Sequence, residues 1–146
     1  MVPNAENLGP ALTFSNDQRI TQIGARLRAV KLDELPQLFN VILGEMTLVG
    51  PRPEGSRYVA MYTPEQRKVL ELMPGVTDRA SIMFVDEANH LAASTDPERL
   101  YIERIMPEKI RINLEYARDA GILNDMRVIV DTVGHLVRRR YDRVAP

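Results

Sequence analysis

A short apolar segment with an acidic start and an early proline constrains the fold of this chain most strongly. Asp33 and Glu34 open the segment, Pro36 follows, and large apolar residues then recur at the spacing of one helix face until Gly44. A proline deep inside a helix costs about 3 kcal/mol or more, so the helix has to begin close to Pro36. We therefore predict a helix with Asp33 as its N-cap and its apolar residues in the core, ending at Gly44.

The charged residues around this helix indicate phosphate chemistry. Carboxylates at a helix N-terminus are held ionised by the partial positive charge there, which also favours a bound phosphate. Arg28 precedes the acidic pair, and Arg52 follows in the loop Gly50–Pro53. Phosphoryl transfer requires a nucleophile, ligands for a divalent cation and fixed positive charges, and these carboxylates and arginines offer all of them. An ordinary capped helix followed by a stiff turn explains the same residues and remains the alternative.

The order of these residues resembles the signature of the monotopic phosphoglycosyl transferases, the bacterial sugar transferases that act on polyprenyl phosphate. The resemblance is specific because it extends from Leu27 to Pro53 with few departures. The matching residues are Leu27-Arg28, Leu32-Asp33-Glu34-Leu35-Pro36-Gln37-Leu38, Asn40-Val41, Gly44, Met46 and Leu48-Val49-Gly50-Pro51-Arg52-Pro53. A weaker similarity extends from Gly9 to Thr77 and includes Pro74-Gly75-Val76-Thr77.

This resemblance implies a defined reaction and a role for each site residue. Asp33 matches the carboxylate that attacks a nucleoside-diphosphate sugar, usually a UDP-sugar, at the sugar-bearing phosphate, and a covalent phosphosugar remains on it. Glu34 matches its partner, and the two carboxylates are implied as Mg²⁺ ligands. Arg28 and Arg52 match phosphate-binding arginines. The implied acceptor is polyprenyl phosphate, typically undecaprenyl phosphate, and such a transfer initiates the synthesis of surface polysaccharides such as exopolysaccharide and lipopolysaccharide.

The N-terminal membrane helix of this family has no counterpart in the sequence. No apolar run approaches the ~20 residues that a helix needs to cross a bilayer. We therefore predict that residues 1–146 form one N-terminally truncated sugar transferase domain, a soluble fragment of a protein that rests on the cytoplasmic face of the bacterial inner membrane. Apolar surface uncovered by the missing helix is expected to allow a homodimer. The alternative to an enzyme is a catalytically silent fragment that binds a nucleotide-sugar or another protein.

The composition of the chain excludes several other classes of function and indicates the fold class. A net charge of −1 argues against nucleic acid as a partner, because nucleic-acid-binding domains usually carry a strongly basic face. The chain has no cysteine, which excludes disulfides, thiolate zinc sites and thiol catalysis. His90 and His135 lack the spacing of metal ligands and are interpreted as surface or packing residues. The periodicity along the chain predicts an α+β, mainly helical fold, a single compact domain with a few short strands.

Local patterns mark three further helix starts and one strand. Thr63-Pro64 with Gln66 predicts a capping box, Asp96-Pro97 opens a helix, and Asn124-Asp125 is expected to cap a final helix. The segment Ser81–Val85 is predicted to form a short strand.

Two charged groups outside the signature have more than one interpretation. Asp86 and Glu87 are interpreted as a solvated turn, with metal or nucleotide binding as the alternative. The end of the last predicted helix is basic and carries Arg138–Arg140 and Arg143. These arginines either favour the helix C-terminus or contact anionic lipid, and the sequence alone supports both interpretations.

Overall fold

Helices dominate the chain and surround a small parallel sheet. The computed structural model describes residues 19–29 and 35–142. Its α-helices are α1 Gln22–Ala29, α2 Gln37–Ile42, α3 Ser56–Val59, α4 Pro64–Arg67, α5 Arg79–Met83, α6 Glu87–Ala92, α7 Pro97–Leu100, α8 Met106–Arg118 and α9 Ile122–Asp142. A 3₁₀ turn, Lys68–Glu71, continues α4, and a π-helical turn, Tyr101–Ile105, joins α7 to α8. The prediction of an α+β, mainly helical fold with short strands is confirmed.

The sheet consists of two strands in the described part of the chain, β1 Thr47–Val49 and β2 Gly75–Thr77. They run parallel, with Thr47 opposite Gly75 and Val49 opposite Thr77. Parallel neighbours need a long crossover connection, and here α3, α4 and the 3₁₀ turn provide it. The sheet therefore brings together two segments that are distant in sequence, Leu48–Pro53 and Pro74–Thr77.

The core lies beside this sheet and is built around two tyrosines. The rings of Tyr58 and Tyr101 meet edge to face with their centroids 5.0 Å apart, and each residue is only 2% exposed. The other buried members of the cluster are Tyr62, Val69, Leu91, Ile105, Met106 and Ile110. Aromatic pairs in this geometry add about 0.5–1.5 kcal/mol beyond the area that they bury. The core thus joins α3, α6, the π-helical turn and α8.

Two of the predicted helix starts are confirmed in detail. The Thr63 hydroxyl accepts a hydrogen bond from the backbone N–H of Gln66 at 3.3 Å, and the Gln66 side chain accepts one from the N–H of Thr63 at 2.8 Å. Asp96 accepts a hydrogen bond from the N–H of Arg99 at 3.0 Å and caps α7. Both motifs satisfy N–H groups that have no partner within the helix.

The predicted start of α2 is wrong. The helix begins at Gln37, and its N-cap is Pro36 rather than Asp33, which lies outside the described residues. A proline disfavours helical geometry in the residue before it, so Leu35 does not extend the helix towards the acidic pair. The predicted end is confirmed, because Gly44 has a φ of +77° and takes the left-handed conformation that favours glycine.

The apolar face of α2 does not lie in the core, contrary to expectation. Phe39 is 70% exposed and Ile42 is 80% exposed, and Leu43 beside them is also exposed. Helix α9 has a similar uncovered stripe that includes Met126 and Val130. Among the described residues, no helix combines the length and the hydrophobicity that crossing a bilayer requires. The predicted homodimer is not tested by a single chain and stays a prediction.

Two other local predictions fail because side chains make non-local or competing hydrogen bonds. Ser81–Val85 is not a strand, since Asp78 accepts a hydrogen bond from the N–H of Ser81 at 2.9 Å and starts α5. Helix α9 begins at Ile122, before Asn124 and Asp125. These two side chains bond the end of α8 instead: Asn124 donates to the carbonyl of Asp119 at 2.6 Å, and Asp125 accepts from the hydroxyl of Tyr116.

Candidate functional site

The structure describes only part of the predicted catalytic group. Asp33 and Glu34 lie outside the described residues, and Arg28 is described only through its place in the backbone of α1. Arg52 is the predicted site residue with a described side chain, and it lies exposed in the loop after β1. The proposed association of these four residues therefore stays a prediction, and the surroundings of Arg52 define the candidate site.

The loop that carries Arg52 is held against β2 by two glycines. The N–H of Gly50 donates to the carbonyl of Thr77 at 2.9 Å, and the N–H of Gly75 donates to the carbonyl of Pro51 at 3.1 Å. A Cβ atom on Gly75 would lie 2.1 Å from the backbone nitrogen of Gly50. Only residues without a Cβ allow this approach, so the glycines of both signature segments fix the backbone on which Arg52 stands.

Arg52 lies between two cavities. The first, called the apolar cavity, has a volume of about 210 Å³ and is lined by Leu35, Leu38, Arg52, Val76, Thr77, Ser81, Ile82, Val85, Thr132, His135 and Leu136. Leu35 directly follows the Asp33-Glu34 pair in sequence, so this cavity lies at the described end of the predicted catalytic segment. His135, interpreted from sequence as a surface or packing residue, lies half-buried in its wall.

A pair of threonines connects the apolar cavity to the long helix α9. The hydroxyl of Thr132 donates to the carbonyl of Val128 at 2.8 Å. The Thr77 hydroxyl lies 2.8 Å from the Thr132 oxygen and must be the donor of that second hydrogen bond, because the single Thr132 proton is already used. The C-terminal end of β2 is thereby fixed to α9.

The second cavity, called the polar cavity, has a volume of about 230 Å³ and lies on the other side of Arg52. Its wall is lined by Pro51, Arg52, Pro53, Glu54, Gly55, Tyr58, Tyr62, Val69, Asp78, Glu87, Tyr101, Met106, Lys109, Ile110 and Asn113. These residues come from the Arg52 loop, α3 and the segment after it, the 3₁₀ turn, the N-cap of α5, α6, the π-helical turn and α8. The cavity thus combines charged groups with three tyrosines of the core.

Most charged groups of the polar cavity are paired with one another. The hydroxyl of Tyr101 donates to Glu54, and Lys109 donates to Glu87 at 2.9 Å. The side chains of Lys109 and Glu87 are only about one-fifth exposed, at 21% and 22%. The Lys109 ammonium also lies 5.7 Å from the centre of the Tyr101 ring, within the range of a cation–π contact.

Burial keeps the tyrosines of this cavity protonated. Desolvation, followed by the charge of Glu54, raises the pKa of Tyr62 from 10.0 to about 12. The pKa of Tyr101 is raised further, again mainly by burial and then by Glu54, whose carboxylate its hydroxyl bonds. Both phenols therefore stay neutral hydrogen-bonding groups at any physiological pH.

The acidic pair Asp86-Glu87 separates into two environments. Asp86 is exposed at the N-cap of α6, as expected for a solvated turn, whereas Glu87 lies half-buried in its ion pair with Lys109. The solvated-turn interpretation is therefore wrong for Glu87. Within residues 19–29 and 35–142, no group of three or more metal-binding side chains forms.

A larger cleft of about 940 Å³ lies between α5, α8 and α9 and does not include Arg52. Arginine and acidic side chains line it, and Arg111 makes ion pairs with Glu108 and Glu115 at 2.5 Å each. Exposed pairs of this kind typically contribute up to about 1 kcal/mol. The charges of Arg111 are thus compensated within α8. Because the signature residue Arg52 lies outside this cleft, the candidate site remains the region around Arg52.

Apart from the signature residues Pro51–Pro53, sequence patterns did not identify the residues that form the polar cavity. Glu54 and Tyr101 are 47 positions apart, and Glu87 and Lys109 are 22 apart, so no local spacing indicates that they meet. The one usable signal was the Asp86-Glu87 pair, for which nucleotide binding was the alternative interpretation. The core packing of α6 and α8 brings these groups together.

Comparison with known proteins places these features in a family. A profile of the bacterial sugar transferases matches residues 1–139. The UDP-glucose:undecaprenyl-phosphate glucose-1-phosphate transferase of Caulobacter vibrioides is 32% identical over 124 residues, which are 83% of this chain and 42% of that protein. The exopolysaccharide production protein PSS of Rhizobium leguminosarum bv. phaseoli is 37% identical over 131 residues, or 86% of this chain and 60% of that protein.

A third relative is a UDP-glucose:undecaprenyl-phosphate glucose-1-phosphate transferase of Xanthomonas campestris pv. campestris. It is 37% identical over 120 residues, which are 80% of this chain and 22% of that protein. The chain thus spans between about one-fifth and three-fifths of the length of these relatives. Because the family profile covers almost the whole sequence, the chain belongs to the bacterial sugar transferase family.

Proposed function

We propose that this chain transfers a phosphosugar from a nucleoside-diphosphate sugar, most simply a UDP-sugar, to polyprenyl phosphate through a covalent intermediate on Asp33. The observation that carries the proposal is the family match over residues 1–139 together with the signature from Leu27 to Pro53, which has few departures. The names of the Caulobacter and Xanthomonas relatives support a UDP-sugar donor and an undecaprenyl phosphate acceptor. The product would initiate surface polysaccharide synthesis at the cytoplasmic face of the membrane.

The first step forms the intermediate. A carboxylate oxygen of Asp33 attacks the phosphorus that carries the sugar, the bond from this phosphorus to the bridging oxygen breaks, and nucleoside monophosphate leaves with that oxygen. A carboxylate is ionised at neutral pH and needs no separate base for this attack. Arg28 and Arg52 are proposed to hold the phosphate oxygens, whose charge the guanidinium group binds well.

The second step completes the transfer. An oxygen of polyprenyl phosphate attacks the same phosphorus, the bond to Asp33 breaks, and the carboxylate is restored. Asp33 and Glu34 would hold Mg²⁺, because carboxylate oxygens are the hard ligands that this ion prefers. When bound, the ion neutralises charge on the phosphate oxygens. The glycine-fixed loop supports the role of Arg52, since a positioned cation contributes most when it is held before the reaction begins.

Mass spectrometry of the intact chain tests this proposal. The chain is mixed with Mg²⁺ and separately with UDP-glucose, UDP-galactose and UDP-N-acetylgalactosamine, without acceptor. We expect a mass increase of one phosphosugar with at least one donor, and peptide mapping should place it on Asp33. The variant Asp33→Asn should show no increase, because an amide oxygen is a poor nucleophile.

The second acidic pair provides the matched control. Asp86→Asn removes an exposed carboxylate from the other Asp-Glu sequence and should leave adduct formation unchanged. Donor binding without an adduct on any residue would contradict the enzyme and support the catalytically silent binding module. An adduct that survives Asp33→Asn would show that a different residue is the nucleophile.

A further inference from the structure

We infer that the apolar cavity binds the hydrocarbon chain of the phosphate acceptor, at the end of the chain that carries the phosphate. This inference rests on the proposed function, because it assigns the cavity beside Arg52 to a part of the second substrate. The phosphate group would lie at Arg52, which lines the cavity, and the first isoprene units would extend inward from it.

Aliphatic side chains form most of the cavity wall. They come from α2, β2, α5, α9 and the turns beside these elements. The six aliphatic residues are Leu35, Leu38, Val76, Ile82, Val85 and Leu136. A ligand gains free energy at such a wall in proportion to the apolar area that it removes from water, so the wall favours a hydrocarbon group.

The three hydroxyl groups in the wall are already bonded within the protein. Thr132 donates to the carbonyl of Val128 at 2.8 Å, and Thr77 donates to the Thr132 oxygen at 2.8 Å. The Ser81 hydroxyl donates to the carboxylate of Asp78. All three protons are therefore used, and a polar ligand would find few hydrogen bonds here to replace those that it loses with water.

The charges around the two cavities direct an anionic amphiphile to the apolar one. Arg52 and His135 are the ionisable residues among those that line the apolar cavity, and its described lining includes no carboxylate. A guanidinium group beside an apolar surface complements a phosphate attached to a hydrocarbon chain. The polar cavity lacks this combination, because the carboxylates Glu54, Asp78 and Glu87 line it together with Arg52.

The cavity holds only the beginning of a polyprenyl chain. Its volume of about 210 Å³ lies below the ~300–1,000 Å³ typical of sites for drug-sized ligands. Leu38 lines the cavity and is 39% exposed, and Ile42, one turn further along the same face of α2, is 80% exposed. The rest of the chain would therefore leave the cavity along the exposed apolar face of α2.

Calorimetric titration with straight-chain alkyl phosphates tests the inference without turnover. Inorganic phosphate and ethyl, butyl, hexyl and octyl phosphate are titrated separately into the full chain, each below its micelle concentration. We expect the affinity to rise with chain length by up to roughly fourfold for each CH₂ group, until the cavity is filled. Hexanol should bind more weakly than hexyl phosphate, because it has no charge to place at Arg52.

Two variants of α2 separate the cavity from the exposed face of the helix. Leu38→Gln puts an amide into the cavity wall at nearly constant size, and it should weaken binding of hexyl phosphate by roughly 3- to 10-fold without changing binding of inorganic phosphate. The matched change Ile42→Gln lies on the same face but outside the cavity lining, and it should change neither affinity. Thermal unfolding of both variants should confirm that the fold is retained, since both positions are exposed.

An affinity that does not depend on chain length in the unmodified chain would overturn the inference. Equal losses in Leu38→Gln and Ile42→Gln would also overturn it, because the exposed helix face rather than the cavity would then bind the hydrocarbon. These outcomes are distinct from failure of the proposed function, whose adduct on Asp33 forms from the donor alone. An adduct without chain-length dependence would retain only the reaction, and chain-length dependence without an adduct would retain only the binding site.

Discussion

On one side of Arg52 the protein presents charged and phenolic groups, and on the other side it presents leucine, valine and isoleucine side chains. The two cavities have nearly the same volume, about 230 Å³ and 210 Å³. Their walls differ because the polar cavity borders the tyrosine core, whereas the apolar cavity borders α2 and α9, whose apolar faces are partly uncovered.

This difference teaches that a single loop can present one cation, Arg52, to two chemically distinct surroundings. The polar cavity suits a hydroxylated group, and the apolar cavity suits a hydrocarbon group. The proposed transfer of a phosphosugar from a nucleotide to an isoprenoid phosphate would use both kinds of surroundings close to one phosphate. The predictions below test how firmly the loop and each cavity are fixed.

The largest effect is expected from Gly75→Ala, which would disturb both cavities at once. The new methyl group would lie 2.1 Å from the nitrogen of Gly50, so the strands would have to separate. Overpacking of this kind costs typically about 1–3 kcal/mol, and we expect the upper end because backbone must move. Urea denaturation should show this loss. The control Gly134→Ala lies in α9 with nothing within 4 Å and should stabilise the chain by up to ~1 kcal/mol.

A smaller effect, confined to the polar cavity, is expected from Lys109→Met. This change leaves Glu87 half-buried without its ammonium partner, and we expect a loss of roughly 1–3 kcal/mol in the free energy of unfolding. The double variant Glu87→Met/Lys109→Met should lose less than the single one, because no unpaired charge remains. Lys68→Met breaks the exposed pair with Glu65 and should change stability by less than ~1 kcal/mol. Equal losses of stability in Lys109→Met and Lys68→Met would contradict the conclusion that burial strengthens the dependence of Glu87 on Lys109.

On the apolar side, Thr132→Val should have an effect of about 1 kcal/mol. Valine keeps the shape of threonine but removes the oxygen that accepts from Thr77, so the connection between β2 and α9 is lost. The loss should be visible in denaturation, and donor binding measured with UDP-glucose should not change. A loss of donor binding in Thr132→Val would show that the apolar cavity contributes to the donor site.

The smallest effect at neutral pH is expected from the buried phenols, since they ionise only in alkaline solution. The pKa of Tyr62 is about 12 in the folded chain and 10.0 as the reference value, so the unfolded chain loses this proton first. The contribution of Tyr62 to the free energy of unfolding should therefore be constant below about pH 10 and should fall between pH 10 and pH 12. Tyr101 acts in the same direction. Tyr62→Phe should make the free energy of unfolding fall less steeply between pH 10 and pH 12. A free energy of unfolding that rises in this range would contradict the burial of Tyr62.

Sequence patterns correctly predicted the helix starts and ends that depend only on residues close in sequence. The capping box at Thr63, the helix start at Asp96 and the end of α2 at Gly44 each involve hydrogen bonds or dihedral angles within a few positions. The Leu48–Pro53 and Pro74–Thr77 segments were both recognised from the signature, but their contact through Gly50 and Gly75 appears only in the fold.

Patterns failed where tertiary contacts decide the outcome. The apolar spacing of α2 correctly indicated a helix but not its exposure, because periodicity does not show whether another surface covers the face. Most of the polar cavity escaped prediction for the same reason, because Tyr101 reaches Glu54 across the core. The failure at Asn124 is different, since its side chain bonds the carbonyl of Asp119 at the nearby end of α8 instead of capping α9.

The release of nucleotide tests the proposed two-step transfer on Asp33 most directly. The chain is incubated with Mg²⁺ and the UDP-sugar that gives an adduct, first without and then with undecaprenyl phosphate, and UMP is quantified over time. We expect a rapid release of UMP that stops at about one molecule per active chain without acceptor and continues when acceptor is added. Release of UMP only when the acceptor is present, with no initial burst, would contradict a covalent phosphosugar on Asp33.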